Sequence, residues 1–325
     1  MKMKIGPFIR FFISISLLGL LLWFMRGKYS EITAQLKQTN LMLFFSASLL
    51  FCANIAFITL RLEAILIGEN IRMPFVRLME LNYIGYFFNN FMPSAVGGDI
   101  VKAYYTGAHT RERAKSYVSV FMDRFIGLFS FAFIAFITVL LSWKTIVNPA
   151  IKKAVLIFVA LCVFAAIISL NVKIAKVISK ILSKIRFMDI GDKLTKIYNI
   201  LHNYRNKKAV LFKTFIISLI AQILYFTVVY ILFKSVNLEI SFKNILLVMP
   251  IVSVISMLPS IGGLGLREGA IVALFGSMVG SEKAFGISIL LLATLFLTSV
   301  IGGIIYLSGP QFRSVKIKET KGNII

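Results

Sequence analysis

The sequence predicts an all-α integral membrane protein with about six spans and two interrupted hairpins, and three observations support this prediction. The 325 residues are 58% hydrophobic and only 15% charged, with a mean hydropathy of +0.88, which is far too apolar for a soluble domain. Several apolar runs approach the ~20 residues that a helix needs to cross a bilayer. Two of these apolar stretches are interrupted by a similar proline–glycine motif.

The predicted spans follow one another with short connections. The first follows a basic N-terminus and is read as a retained span, because no small-residue cleavage site of a signal peptide comes after it. A polar loop is expected at 26–40. The spans are expected near residues 11–25, 41–60, 117–142, 154–170, 210–233 and 284–307.

The distribution of charge gives the orientation. The chain carries a formal net charge of +23, and its basic residues concentrate in loops that would lie together on the cytoplasmic side. Both termini are therefore expected in the cytoplasm, although lysines in the loop at 143–153 go against this assignment. Such a charge suggests nucleic acid in a soluble protein. Here we expect anionic lipid as the partner and no nucleic acid.

The whole chain, 1–325, is interpreted as one membrane domain. Its predicted parts are a first half at 1–142 with a hairpin at 74–108, a basic loop at 171–208, a second half at 209–307 with a hairpin at 244–280, and a cytoplasmic tail at 308–325. Apolar residues recur at helical spacing in the basic loop. This pattern favours an amphipathic helix on the cytoplasmic leaflet, and a solvated charged helix is the alternative.

The two interrupted stretches share a motif. The first reads Met92-Pro-Ser-Ala-Val-Gly-Gly-Asp99, and the second reads Leu258-Pro-Ser-Ile-Gly-Gly-Leu-Gly-Leu-Arg-Glu268. Each has a cation about two helical turns after its proline, Lys102 and Arg267. Two broken segments in matching positions predict re-entrant hairpins of an inverted repeat, the first entering from the cytoplasm and the second from outside, with a binding site where their tips meet. Ordinary loops between full spans are the alternative, and the orientation of the termini is the same in both cases.

These motifs, together with Asp123-Arg124, resemble the flippase-like membrane region of the lysylphosphatidylglycerol synthases, and the resemblance covers nearly the whole chain. Arg61 also resembles an arginine of that family. The resemblance implies lipid translocation and a multi-pass location in a bacterial or archaeal cytoplasmic membrane. The synthases carry an aminoacyl-transferase domain after the membrane part, whereas this sequence has only a short tail up to Ile325. We therefore expect a transporter rather than an aminoacylating enzyme.

The candidate substrate-binding residues combine cations, carboxylates, amides, hydroxyls and glycines of these motifs. Helix N-terminal ends after each Gly-Gly pair would face a lipid phosphate, and the cations would add charge-assisted bonds. The carboxylates would bind an amine or a proton, or would only neutralise neighbouring cations: Asp99 with Lys102, and Glu268 with Arg267 or Arg124. The candidates are Arg61, Asn89, Asn90, Ser94, Gly97, Gly98, Asp99, Lys102, Arg124, Ser260, Gly262, Gly263, Arg267 and Glu268.

Three functions remain open from the sequence. The first is a flippase-like transporter that moves a phosphate-bearing lipid between leaflets: an aminoacylated phosphatidylglycerol, another phospholipid or a polyprenyl-phosphate-linked glycan. The second is a membrane-embedded transferase acting on a polyprenyl-phosphate lipid. The third is a non-catalytic scaffold for a separate lipid-modifying enzyme. His109 and His202 form no metal-ligand pattern, and neither Cys52 nor Cys162 suggests a disulfide, so no metal or cofactor is expected.

Overall fold

The computed structural model describes residues 16, 19–23, 25–91, 97–110, 112–143, 149–170, 200, 202–258, 260 and 262–309. Throughout these residues the regular secondary structure is helical, without a strand. The helices are α1 (Tyr29–Lys37), α2 (Leu41–Gly68), α3 (Phe75–Phe91), α4 (Gly97–Thr110), α5 (Arg113–Leu141), α6 (Pro149–Leu170), α7 (Lys208–Ser235), α8 (Phe242–Ile255), α9 (Leu266–Val279) and α10 (Ser281–Ser308).

Within the described residues, four helices are long and apolar enough to cross a bilayer: α2, α5, α7 and α10. Each has 28 or 29 residues, which gives about 42 Å of helix against a hydrocarbon core of about 30 Å. The predicted class, an all-α polytopic membrane protein, is thus confirmed. Most of the first predicted span, most of the loop at 171–208 and nearly all of the tail lie outside the described residues. The number of spans and the side of the termini stay predictions.

The second span continues further than its apolar run indicates. Helix α2 begins after Asn40, whose side chain accepts a hydrogen bond from the Leu43 amide at 3.2 Å, as an N-cap residue does. It ends at Gly68 rather than near residue 60. Arg61 consequently lies inside the helix and is buried. A cation at that position needs partners from neighbouring helices.

The prediction of a simple polar loop at 26–40 was wrong. Residues Tyr29–Lys37 form α1, which packs against the start of α10. Ile32 is buried together with Met25 and Phe285, and this small apolar contact outweighs the polar composition of the segment. Lys28 adds an ion pair to Glu282 at 2.6 Å, and this bond raises the pKa of the exposed Lys28 ammonium.

Both predicted hairpins contain two helices separated by a break. Helices α3 and α4 have 17 and 14 residues, and α8 and α9 have 14 each. These are about 21–26 Å long, which is short of the hydrocarbon thickness. Between α8 and α9 the chain passes through Gly262, Gly263 and Gly265, with φ of +58°, +80° and +81°, a region that favours glycine. Whether the hairpins re-enter from opposite faces stays a prediction.

Helix α3 makes backbone contact with helices on two sides. A Cβ atom at Gly98 of α4 would lie 2.0 Å from the Gly85 carbonyl oxygen. A Cβ atom at Gly302 of α10 would lie 2.0 Å from the Tyr83 carbonyl oxygen. Small residues allow helices in a membrane to approach this closely. Helix α3 is therefore held between α4 and α10, and its C-terminal end is fixed in position.

The main apolar core joins the long helices to the interrupted ones. Helix α2 packs along α7, and aromatic side chains of α7 and α9 meet at its centre. The rings of Phe233 and Phe275 are both fully buried, with centroids 5.1 Å apart. This core connects α9 with the long helices.

Candidate functional site

The breaks of the two interrupted elements contact each other. A Cβ atom at Gly262 would lie 2.8 Å from Oδ1 of Asn90 and 3.1 Å from the Asn89 carbonyl oxygen. The Asn89 side chain also closes the first break, because its Oδ1 accepts a hydrogen bond from the Gly98 amide at 2.8 Å. Absence of a side chain at Gly262 is what permits the two elements to touch.

A cavity of about 240 Å³ lies beside this contact. It opens between α2, α3, α5, α7, α8 and the glycine turn before α9. Its wall combines three guanidinium groups with neutral amides and hydroxyls, closed off by apolar and aromatic side chains. The polar residues that line it are Asn54, Arg61, Tyr86, Asn89, Asn90, Arg124, Gln222, Tyr225, Ser253, Ser256 and Arg267.

The first arginine is bound by neighbouring helices. Arg61 Nε donates to Oδ1 of Asp123 at 2.7 Å, and Nη1 donates to Ser218 Oγ at 2.8 Å. The side chains of Arg61 and Asp123 are 6% and 2% exposed. A Cβ atom at Gly127 would come within 3.0 Å of Nη1, so the guanidinium passes directly over that glycine. The pair joins α2, α5 and α7 at one edge of the cavity.

The second group of charges is centred on Asp99. Its Oδ1 pairs with Lys102 Nζ at 2.9 Å, and its Oδ2 pairs with Arg124 Nε at 2.5 Å. Lys102 also donates to Asn82 Oδ1 at 3.2 Å. Arg124 is 37% exposed, whereas Asp99 and Lys102 are buried. A guanidinium has five N–H donors, and the closest contact with Asp99 uses Nε, so Arg124 keeps further N–H groups on its partly exposed side chain.

The third group lies at the start of α9. Glu268 Oε2 accepts from the Gly265 amide at 2.6 Å, which caps the helix. Glu268 Oε1 accepts from Arg267 Nε at 3.0 Å and from Nη2 at 2.7 Å. The carboxylate is fully buried. It therefore fixes the guanidinium of Arg267 and leaves Nη1 of that side chain without a partner among the residues described.

These side chains leave one positive charge uncompensated. The cluster holds four cations, Arg61, Lys102, Arg124 and Arg267, and three carboxylates, Asp99, Asp123 and Glu268, for a net charge of +1. Each carboxylate already binds at least one cation of the protein. In a setting of low dielectric constant, an excess positive charge favours an anion strongly. The arrangement can thus attract a monoanion.

The structure places seven of the fourteen predicted residues at the cavity: Arg61, Asn89, Asn90, Arg124, Gly262, Gly263 and Arg267. Gly97, Gly98, Asp99, Lys102, Ser260 and Glu268 do not line it, and Ser94 lies outside the described residues. The pairing alternative for the carboxylates is the arrangement observed, with Asp99 on Lys102 and Glu268 on Arg267. Direct binding of substrate by any of the fourteen stays a prediction.

Sequence reasoning missed several polar residues of the wall. Asn54 lies in α2 and Gln222 in α7, each as an isolated amide in an apolar span. Amides at such depth need partners, and this signal could have identified both. Ser253 of α8 and Ser256, which follows the last residue of α8, offered no comparable signal, because a serine in an apolar segment commonly bonds to its own backbone.

The fold and the site together define an α-helical membrane protein in which two interrupted helices meet beside an arginine-lined cavity. The family described as the lysylphosphatidylglycerol synthase transmembrane region matches residues 8–303, and the chain belongs to this family. The UPF0104 membrane protein PH1989 of Pyrococcus horikoshii is 25% identical over 92% of this chain and 96% of its own length. A UPF0104 membrane protein of Methanothermobacter thermautotrophicus is 28% identical over 71% of this chain and 73% of its own length.

Proposed function

We propose that this protein is a flippase-like transporter that moves a phosphate-bearing lipid between the leaflets of a bacterial or archaeal cell membrane, without catalysing a reaction on it. The observation that carries this proposal is the cavity beside the two helix breaks, with three arginines in its wall and a net charge of +1 for the cluster of charged side chains around it. A lipid phosphodiester carries one negative charge and therefore complements this excess charge. The family's name, which refers to a lipid synthase, supports the same class of substrate.

The physical problem in lipid translocation is the transfer of a polar headgroup through hydrocarbon. An isolated phosphate would lose its hydration there at a cost of many kcal/mol, as any unpaired ion does. The cavity replaces water with fixed donors. Arg124 and Arg267 keep free N–H groups, while Asp99 and Glu268 hold the rest of each guanidinium in place. Such preorientation limits the entropy that binding would cost.

Substitution of Arg124 gives the clearest test of this proposal. Replacing it by Gln removes the exposed cation, and Asp99 keeps Lys102 as its partner, so the fold should tolerate the change. Hydrogen bonds to charged groups contribute about 1.5–3 kcal/mol, and we expect translocation to slow by roughly 10- to 100-fold. Arg267→Gln combined with Glu268→Gln tests the second cation without leaving a buried carboxylate unpaired.

The experiment reconstitutes the purified protein in liposomes and measures how fast labelled phospholipids and a polyprenyl-phosphate glycan become accessible from the opposite leaflet. Lys115→Gln is the matched control, because it removes one cation from a side chain paired only with the exposed Glu112. Transport by the control and loss in Arg124→Gln would support the proposal. Wild-type rates in Arg124→Gln would contradict it, as would the absence of movement for every lipid, which would favour a scaffold or a transferase.

A further inference from the structure

One buried acceptor of a cavity residue has no hydrogen-bond partner among the residues that the structure describes. Asn54 is 2% exposed, and its Nδ2 donates to the Ala221 carbonyl oxygen at 3.0 Å. Its Oδ1 is buried without a hydrogen-bond partner among the described residues. Buried polar atoms in native proteins are nearly always bonded, and Asn54 belongs to the cavity wall. A hydrogen-bond donor from a bound ligand would complete this group.

Two serines add further neutral acceptors to the same wall. Ser253 Oγ donates its hydrogen to the Met249 carbonyl oxygen at 2.8 Å, and Ser256 Oγ donates to the Val252 carbonyl oxygen at 2.7 Å. Both serines line the cavity, and because their single hydrogens are donated to backbone carbonyls, each oxygen can only accept a further hydrogen bond. The wall thus offers charged donors, from the arginines, together with uncharged acceptors.

The charges distinguish between the possible donors. The three carboxylates of the cluster are bound by Arg61, Lys102, Arg124 and Arg267, so an ammonium group would enter a region that already has excess positive charge. A hydroxyl group supplies a hydrogen-bond donor and adds no charge. A phosphomonoester with two negative charges would exceed the excess charge of +1 and leave a buried anion uncompensated.

We infer, building on the proposed function, that the cavity selects a phosphodiester of charge −1 whose headgroup carries free hydroxyls, and that Asn54 is the residue that recognises a hydroxyl. The arginines bind the phosphate, and Asn54, Ser253 and Ser256 accept from the hydroxyls. Two sources have this chemistry: a phospholipid with a polyol headgroup and a polyprenyl phosphate bearing a sugar. Headgroups with an ammonium, including aminoacylated ones, fit less well.

The test uses the full-length protein in liposomes and lipids labelled on an acyl chain, so that headgroups stay unmodified. Phosphatidylglycerol and phosphatidylmethanol carry the same charge, but only the first has hydroxyls. Aminoacylated phosphatidylglycerol adds an ammonium to the first, and phosphatidic acid is a phosphomonoester. We expect phosphatidylglycerol to move about tenfold faster than the other three. A polyprenyl-phosphate hexose added as competitor distinguishes the two sources by how strongly it slows that movement.

The variant Asn54→Leu, which keeps the number and branching of the side-chain heavy atoms, tests the assigned residue. We expect it to slow phosphatidylglycerol more than phosphatidylmethanol, so that the preference for phosphatidylglycerol falls to near unity. A purely structural role would slow both lipids together, and that result would overturn the role of Asn54. Equal or faster movement of the aminoacylated lipid would overturn the inference and leave transport standing. Failure of all lipids to move would instead refute the proposed function itself.

Discussion

The contact between α3 and α4 yields a prediction of stability that follows directly from the geometry. In Gly98→Ala, the new methyl group would lie 2.0 Å from the Gly85 carbonyl oxygen and 2.7 Å from its carbonyl carbon. The two backbones must separate by roughly 1.4 Å to restore an ordinary contact, which forfeits more than half of the dispersion energy of the atoms involved. Overpacking costs about 1–3 kcal/mol, and the upper end applies because the obstructing atoms are backbone.

Helix propensity acts in the opposite direction and is the reason for a matched control. Alanine stabilises a helix by about 1 kcal/mol relative to glycine, which leaves a net loss of about 2 kcal/mol in Gly98→Ala. Gly269→Ala in α9 makes the same chemical change where no heavy atom lies within 4 Å of the new Cβ, so it should be neutral or slightly stabilising.

Both glycine variants can be compared by thermal unfolding in detergent micelles, followed by circular dichroism. We expect a lower midpoint temperature for Gly98→Ala and an unchanged or higher one for Gly269→Ala. Equal midpoints for the two variants would refute the argument that α3 and α4 are in direct backbone contact.

Two further predictions concern other contacts between the helices. Arg61→Met or Asp123→Asn alone should lower the free energy of unfolding by about 3–5 kcal/mol, because each disrupts a buried ion pair. The double variant Arg61→Met with Asp123→Leu should recover most of this loss. The three variants can be compared by denaturant titration, and losses that simply add in the double variant would contradict the coupling. Gly302→Ala should lower the unfolding temperature at least as much as a typical substitution that overpacks a core, because its Cβ would lie 2.0 Å from the Tyr83 carbonyl oxygen. An unchanged unfolding temperature would mean that α3 and α10 are further apart.

The sequence predicted the fold well wherever the signal was local. Long apolar runs identified the helices that are long and apolar enough to cross a membrane, and the glycines before Arg267 identified the second break. The family resemblance was confirmed over residues 8–303. The ion pair between Asp99 and Lys102 could also be predicted from the sequence, because the two residues are about one helical turn apart.

Contacts between distant parts of the chain were not accessible. Arg61 meets Asp123 across 62 positions of sequence, and no spacing rule connects them. The same holds for Gly262 and Asn90, which meet only because both breaks come together. Helix α1 was missed for a related reason, as its apolar contact with α10 is absent from its own composition. Tertiary packing, rather than local propensity, decides such features.

The position of α3 between two helices has a mechanical consequence. The backbone of α3 lies directly against Gly98 of α4 and Gly302 of α10, with no side chain between them. Helix α3 therefore cannot move towards either neighbour, and we expect α3, α4 and α10 to move as one rigid body. The turn through Gly262 and Gly265 is built from left-handed glycines instead, whose backbone can change conformation at low cost. If the protein transports lipid as proposed, the first interrupted element would keep its position during the cycle. The backbone at the glycine turn of the second interrupted element would change conformation.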